Sequence, residues 1–406
     1  MQTSFSAEFL QTKDGQRVNG ILRKCVHCGF CNATCPTYQV TGDELDGPRG
    51  RIYLIKNFFE DQKEHQNSQI DNNIGLKHLD RCLTCLACET TCPSGVKYGE
   101  LVDIGRKHIR DKSKRSLTSK LKRKLILYTF SKPTLSKVAF TLAQLLKPLL
   151  PLSLAKKVPS KQSLPELNSN LSFTKKVLTI KGCVQSSAAP QINAAAAKVF
   201  QNSEILIEET NSKCCGALAF HLTEINTAHQ TIRDNIDNWY EKLTNGYEYL
   251  SITSSGCSSF IKQYSIIMQD DKDYAEKANF IAERCRDISE LAKDIKPNDS
   301  DKKSKTVAFH SPCTLQHGQN INGVIEAKLQ SAGYTLVDFR DGHLCCGSAG
   351  SYSLLEDKLS TELLNNKINC LEENHPDIIA TANIGCLMHL QSGTDIPVKH
   401  WIELLN

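Results

Sequence analysis

Eight cysteines in two matching quartets restrict this chain more than any other feature of its sequence. The segment Lys24-Cys-Val-His-Cys-Gly-Phe-Cys-Asn-Ala-Thr-Cys-Pro36 recurs as Arg81-Cys-Leu-Thr-Cys-Leu-Ala-Cys-Glu-Thr-Thr-Cys-Pro93, with every cysteine displaced by 57 positions. The spacing Cys-x2-Cys-x2-Cys-x3-Cys-Pro places three thiolates on one tight loop, enough to grip three corners of a four-iron cubane. The fourth cysteine points away and completes the neighbouring cluster. On that rule Cys25, Cys28, Cys31 and Cys92 hold one [4Fe–4S] cluster, and Cys82, Cys85, Cys88 and Cys35 hold the second. Zinc asks instead for two separated Cys-x2-Cys pairs per ion. Pro36 and Pro93 turn the chain after the last ligand of each quartet and bring no N–H. Between the quartets, Gly50 to Glu64 is expected to be a helix with Ile52, Ile55 and Phe59 on one face.

A second duplication fills the rest of the chain. Cys183, Cys214-Cys215 and Cys257 correspond to Cys313, Cys345-Cys346 and Cys386, at offsets of 130, 131 and 129. In each copy an apolar run (Val177 to Ile180; Val307 to Phe309) leads to the first cysteine. A helical stretch follows (Ile192 to Phe200; Val324 to Leu329), then a second apolar run (Ile205 to Ile207; Tyr334 to Val337) and Cys-Cys-Gly. A third run (Tyr249 to Thr253; Ile378 to Ala382) ends at Gly-Cys. Strands alternating with helices imply a parallel sheet, and each cysteine group falls just past a strand's carboxyl end, where open α/β sheets place ligands. The fold class expected is therefore mixed, α+β with α/β: an N-terminal helical two-cluster ferredoxin-like domain, then a duplicated α/β cysteine-rich domain. The boundaries expected are 1–111 for the first domain, 112–170 for a basic amphipathic helical linker, and 171–300 and 301–406 for the two repeats.

Thiolates gathered at a sheet end bind soft metals or exchange with disulfides; buried thiols that merely pack are the alternative. Cys313, Cys345, Cys346 and Cys386 are the better candidates for a third metal site. Cys183, Cys214, Cys215 and Cys257 are the weaker set. His310, His317, His343 and His389 lie near the second set, with His389 foremost because it follows Cys386 by three positions. Cys285 and Cys370 sit in helical patterns and read as packing residues. Arg49 and Arg51, in Gly47-Pro-Arg-Gly-Arg51, either steady a nearby negative cluster or face solvent.

The 18 cysteines bear on compartment as well as chemistry. Met1 to Gln11 has no basic patch followed by an apolar stretch, so a cytosolic chain with reduced thiols is expected. Lys112 to Pro165 carries 13 Lys or Arg and no acidic residue; without those 13, the chain's 49 basic residues fall to 36 against 44 acidic ones. A basic block in an otherwise acidic chain points to an anionic surface. It carries no nucleic-acid motif, and no nucleic-acid partner is expected. Its apolar residues, from Leu125 to Leu152, are broken by lysines and by Pro133, Pro148 and Pro151. They fall short of the roughly 20 needed to span a bilayer and suit either a membrane surface or a helical hairpin packed on protein. No Gly-x-Gly-x-x-Gly follows a strand, so neither FAD nor NAD is expected here, and no catalytic residue stands out with certainty. Two one-electron centres held together make a relay, which needs a donor elsewhere.

With both duplications in hand, the chain resembles the iron–sulfur subunits of bacterial glycolate oxidase (glycolate dehydrogenase). The likeness includes Cys25-Val-His-Cys-Gly-Phe-Cys31, Gly42-Asp-Glu-Leu-Asp-Gly-Pro-Arg-Gly-Arg-Ile-Tyr-Leu-Ile-Lys56, Cys313-Thr-Leu-Gln-His317, His343-Leu-Cys-Cys-Gly-Ser-Ala-Gly350 and Thr381-Ala-Asn-Ile-Gly-Cys386. The resemblance implies two FAD-containing partner subunits that oxidise glycolate to glyoxylate, with this chain passing electrons towards membrane quinone. It also implies a cytoplasmic chain, peripheral on the inner face of the membrane. The cysteine repeats alone equally suit iron–sulfur subunits of lactate or glycerol-3-phosphate dehydrogenases, or a heterodisulfide-reductase-like thiol–disulfide enzyme. Against that last group, Cys257-Ser-Ser-Phe260 and Cys386-Leu-Met-His389 each lack a final cysteine.

Overall fold

The computed structural model describes residues 1–60, 72–149, 155–156, 158–159, 163–165, 167, 172–212, 214–295 and 304–406. The chain divides into two units. The first comprises Met1–Arg123 and His343–Leu363, the second Lys124–Gly342 and Leu364–Asn406.

The described part of the first unit is helical. Helix Lys13–Lys24 starts at Thr12, whose hydroxyl accepts from the Gly15 N–H, and buries Val18, Ile21 and Leu22 at helical spacing. Helix Pro48–Glu60 buries Ile52, Ile55, Phe58 and Phe59; the expected continuation to Glu64 lies outside the described residues. Helix Tyr98–Lys112 contributes Leu101, Val102, Ile104 and Ile109 to the same core. Gly105 lets these last two helices meet, since a Cβ there would come within 2.8 Å of Ile55 Cγ1. This core holds the cysteine loops at its edge.

The second unit contains two four-stranded sheets. In the first repeat, β1 (Lys175–Thr179), β2 (Ile205–Glu209), β3 (Tyr249–Ile252) and β4 (Cys285–Asp287) pair in the order β2-β1-β3-β4, all parallel. In the second, β5 (Thr306–His310), β6 (Thr335–Leu336), β7 (Ile378–Thr381) and β8 (Val398–His400) pair as β6-β5-β7-β8, again all parallel. Three strands of each sheet follow the apolar runs of the sequence. The fourth was not foreseen, and Cys285 lies on strand β4 rather than in a helix. It is fully buried there, so its packing role stands. Cys370 lies in helix Asp357–Leu371.

Strand order reverses beside β1 and beside β5. The loops after neighbouring strands therefore diverge at the carboxyl ends and leave a crevice. The repeats lock together across that end. Ser255 Oγ lies 2.8 Å from Thr314 Oγ1, the Ser255 N–H donates to the Ala382 carbonyl at 3.1 Å, and Asn383 Nδ2 donates to Ser255 Oγ at 3.2 Å.

A buried histidine couples this unit to pH. His400 Nε2 lies 2.8 Å from the Thr253 carbonyl oxygen and its Nδ1 accepts from the Ile402 N–H, so the ring is held neutral. Burial lowers its pKa from 6.5 to about 4, against the pull of its backbone hydrogen bonds. The unfolded chain binds this proton first, so stability is complete above pH 6.5 and declines as pH falls towards about 4. The decline should amount to something on the order of 3 kcal/mol. Urea midpoints at pH 7 and pH 5 should separate less in His400→Gln than in the native chain; equal separation would remove His400 from the account.

Linker residues Leu150, Pro151 and Leu152 lie outside the described residues. Among the described linker residues are helices Leu117–Ser131 and Pro133–Leu145 and a short turn at Lys147–Leu149. Leu117, Leu121, Leu125 and Tyr128 on the first helix, and Val138, Leu142 and Leu145 on the second, are exposed at helical spacing. Among the described residues, no helix is long and apolar enough to cross a membrane.

Candidate metal centres

The two quartet loops share one backbone shape. His27 and Gly29 have φ of 55° and 85°, and their counterparts 57 positions on, Thr84 and Leu86, have 52° and 62°. Left-handed conformations at Thr84 and Leu86 are strained for such residues, and both loops turn their cysteines inwards around them. Gly29 is required twice over, because a Cβ there would also lie 2.7 Å from the Arg49 guanidinium.

Each loop borders a pocket. The first, with about 440 Å³ of empty space, is lined by Cys25, Cys28, Cys31 and Cys92. The second, with about 290 Å³, is lined by Cys35, Cys82, Cys85 and Cys88; Cys88 also borders the first. The first pocket thus meets three thiols from its own loop and two from the other, and the second meets three from its own loop and one from the other. An all-thiol donor set of four around such a space fits a four-iron cluster.

The surroundings of the two pockets differ. Around the first, Cys28 is exposed and Cys31 and Cys92 are half-buried. Burial pushes the Cys31 thiol up to about 11. Around the second, Cys35, Cys82 and Cys88 are buried and two buried arginines approach. Arg51 Nη1 lies 3.9 Å from Cys35 Sγ, and its Nε donates to the His78 carbonyl. Arg106 Nη2 donates to the Cys82 carbonyl at 2.6 Å and its Nη1 to Thr84 Oγ1 at 2.8 Å. Tyr98 O–H and the Thr84 N–H point at Cys82 Sγ at 3.5 and 3.4 Å. Burial alone would raise the Cys82 thiol, but Arg51 and Arg106 carry it below its ordinary value. Burial drives Cys88 well up, with the neighbouring thiols adding to it.

Asp46 anchors this side. It is fully buried and accepts from Arg81 at 2.7 Å, with His78 Nδ1 at 2.8 Å and Arg51 at 3.7 Å. Of these groups sequence reading had named only Arg51, with solvent as its alternative. Asp46, His78, Arg81, Arg106 and Tyr98 went unmarked. The available signal was charge on an apolar helix face, as with Arg106 between Leu101, Val102 and Ile109. Tyr352, in the same unit, is buried with its hydroxyl unpartnered among the described residues; Arg51, Cys82 and Cys345 act on it electrostatically.

In the first cysteine-rich repeat all four thiols come together. Cys183 is hydrogen-bonded to Cys214 and Cys214 to Cys215, and Cys215 Sγ lies 3.4 Å from Cys257 Sγ. Hydrogen bonds from Cys183, from Cys215 and from the Gly216 N–H hold Cys214 well below the ordinary thiol value. The pair is pinned from behind, with Asn235 Nδ2 donating to the Cys214 carbonyl at 2.8 Å and Tyr264 O–H to the Cys215 carbonyl at 2.6 Å. Gly216 and Gly347 share a φ near 90°, at 94° and 88°.

In the second repeat, Cys313 and Cys386 belong to the second unit, and Cys345 and Cys346 to the His343–Leu363 segment of the first. His343 lies on that segment too. His310, at the carboxyl end of β5, is fully buried, and neither ring nitrogen has a hydrogen-bond partner among the described residues. A ring nitrogen of His310 lies within 4.8 Å of Cys386 Sγ. His389 is buried in helix Ile384–Gly393, and His317 ends the turn of helix Cys313–Gln316.

Comparison with known families accords with both duplications. Residues 21–96 match the 4Fe-4S dicluster domain, and residues 177–262 and 307–391 each match the cysteine-rich domain. Fold and site together define an iron–sulfur protein of electron transfer, built from a dicluster domain and two cysteine-rich repeats. The glycolate oxidase iron-sulfur subunit of Escherichia coli (strain K12) is 42% identical over 100% of this chain and 98% of its own length. The probable glycolate oxidase iron-sulfur subunit of Bacillus subtilis (strain 168) is 28% identical over 97% of this chain and 94% of its own. Lactate utilization protein A of Geobacillus sp. (strain WCH70) is 26% identical over 48% of this chain and 82% of its own. The chain belongs to the family of glycolate oxidase iron–sulfur subunits.

Proposed function

We propose that this chain carries electrons one at a time through two [4Fe–4S] centres, from FAD subunits oxidising glycolate to glyoxylate towards membrane quinone. Cys25, Cys28, Cys31 and Cys92 would hold one centre, and Cys82, Cys85, Cys88 and Cys35 the other. The observation that carries the reading is the pair of adjoining pockets, one bordered by five thiols and the other by four, with Cys88 common to both. When bound, the clusters supply one-electron chemistry; the chain's part is to hold, shield and bias them. The four linked thiols of the first repeat would take a third soft metal or cluster, and in the second repeat Cys386 with the unpartnered His310 would supply a thiol and an imidazole.

The test is to purify the chain anaerobically with its partners and record the electron paramagnetic resonance spectrum before and after adding glycolate. A reduced-cluster signal raised by glycolate is the expected result. A signal raised only by dithionite would move the donor to another 2-hydroxy acid or to glycerol 3-phosphate. Metal analysis of the same preparation should exceed eight irons, or show zinc besides; Cys214→Ala should lose the excess alone, and a native chain with no excess would sink the third site.

Membrane association belongs to the same reading. The exposed stripe Val138, Leu142 and Leu145 lies in a stretch rich in lysine and free of acidic residues, which suits an anionic lipid surface. Changing Leu142 and Leu145 to glutamate should weaken binding to vesicles containing anionic phospholipid about a hundredfold, since two buried leucines contribute about 3 kcal/mol or more. Unchanged co-sedimentation with those vesicles would put the stripe against protein instead.

A further inference from the structure

We infer that Arg51 and Arg106 make the centre at Cys35, Cys82, Cys85 and Cys88 the more easily reduced of the two. Electrons would then enter at the loop of Cys25, Cys28 and Cys31 and settle at the second centre. This rests on the cluster reading above and adds a direction to it.

An electron added to a cluster adds negative charge, so a nearby cation with little water to screen it favours the reduced form. Arg51 and Arg106 are 1% and 6% exposed, one against the Cys35 thiol and the other capping the Cys82 carbonyl. The sulfur-directed bonds from Tyr98 and Thr84 act in the same sense.

Three features oppose them. Burial withholds water dipoles from the second centre. The Asp46 carboxylate is close, but Arg81 and His78 already engage it. Asp103 stands 4.0 Å from Arg106, with its side chain partly in solvent. The two guanidiniums are the groups in direct contact with the ligand loops, and their sign prevails.

The first centre has no such pair. Its Arg49 is more than a third exposed and committed to Glu44 at 2.6 Å. The Met1 amino group reaches the Cys25 carbonyl at 2.6 Å from a partly exposed position. Val96 N–H gives Cys92 a sulfur-directed bond and the His27 backbone gives Cys25 another, the counterpart of Thr84 on Cys82, so backbone bonds do not separate the centres and the buried guanidiniums do. Cys28 itself lies open to solvent between the exposed side chains of Val26 and Phe30, which suits the end that receives electrons.

The experiment is a potentiometric titration of the full chain, loaded anaerobically with iron and sulfide and followed by electron paramagnetic resonance. Two reduction steps are expected from the dicluster domain, and Cys214→Ala identifies any further step that belongs to the first cysteine-rich repeat. Arg51→Gln should shift the higher step to lower potential and leave the lower one in place; Arg51→Lys, which keeps the charge, should shift it less. Movement of the lower step, or of both together, would overturn the inference. Should Arg51→Gln fail to hold iron, the native chain decides. A soluble dysprosium chelate relaxes the more exposed centre more strongly, and that signal should belong to the later step. Its appearance in the earlier step would reverse the order. A native chain with no cluster signal at all would instead remove the reading on which the inference stands.

Discussion

Cys85→Ala is expected to remove about half of the dicluster iron and the spectrum of one centre, because on the proposed ligation each loop would supply three of the four ligands to its own cluster. Glycolate-dependent quinone reduction by the assembled complex should fall to background. Glycolate-dependent reduction of an artificial dye should persist, because the flavin chemistry would reside on other subunits. Iron analysis, spectroscopy and the two assays on one preparation separate the outcomes. If dye reduction were lost as well, this chain would be taking part in substrate oxidation and a pure relay role would fail. Cys85 suits the purpose because, of Cys35, Cys82, Cys85 and Cys88, it alone is half-buried rather than buried.

The second large effect belongs to Asp46. Its carboxylate has no access to solvent and stands among Arg51, Arg81 and His78. Removing one member of a buried charged network leaves the others uncompensated, which typically costs about 3–5 kcal/mol. Asp46→Ala should therefore lower the unfolding midpoint in urea steeply, and the second centre should be the first to lose iron. Since bound metal couples to folding, the comparison is made on chains matched for iron content. A midpoint within experimental error of the native chain would mean that the three cations find other acceptors.

The legible part of this molecule was the part written locally. Ligand spacing is a matter of a dozen residues, so the quartets and their positions at loop turns could be read directly. Apolar runs likewise marked β1, β2, β3, β5, β6 and β7, because parallel strands are nearly continuous in hydrophobicity. Cys285-Arg-Asp287 and Val398-Lys-His400 are too short and too polar to announce the fourth strand of each sheet. The electrostatics stayed hidden for a different reason. Asp46 meets its partners 32 and 35 positions away, and Arg106 reaches back 24 to Cys82. Such contacts exist only once helices Pro48–Glu60 and Tyr98–Lys112 have packed. The convergence of Cys183, Cys214, Cys215 and Cys257 was foreshadowed by their shared place at strand ends. The thiol-to-thiol chain that links them was not.

The seam between the two sheets bears on how the second unit came to be one object. Ser255, Thr314, Ala382 and Asn383 stitch corresponding ends of two halves with the same topology, as the contact face of a twofold homodimer would. Gly256 keeps that face shut, since a side chain there would run into Asn383 at 2.9 Å. Joining the halves in one polypeptide replaces a bimolecular encounter with a high effective concentration. Once joined, the two copies no longer have to be identical. One copy is then free to keep a compact set of four thiols, while its twin carries a histidine beside its last cysteine.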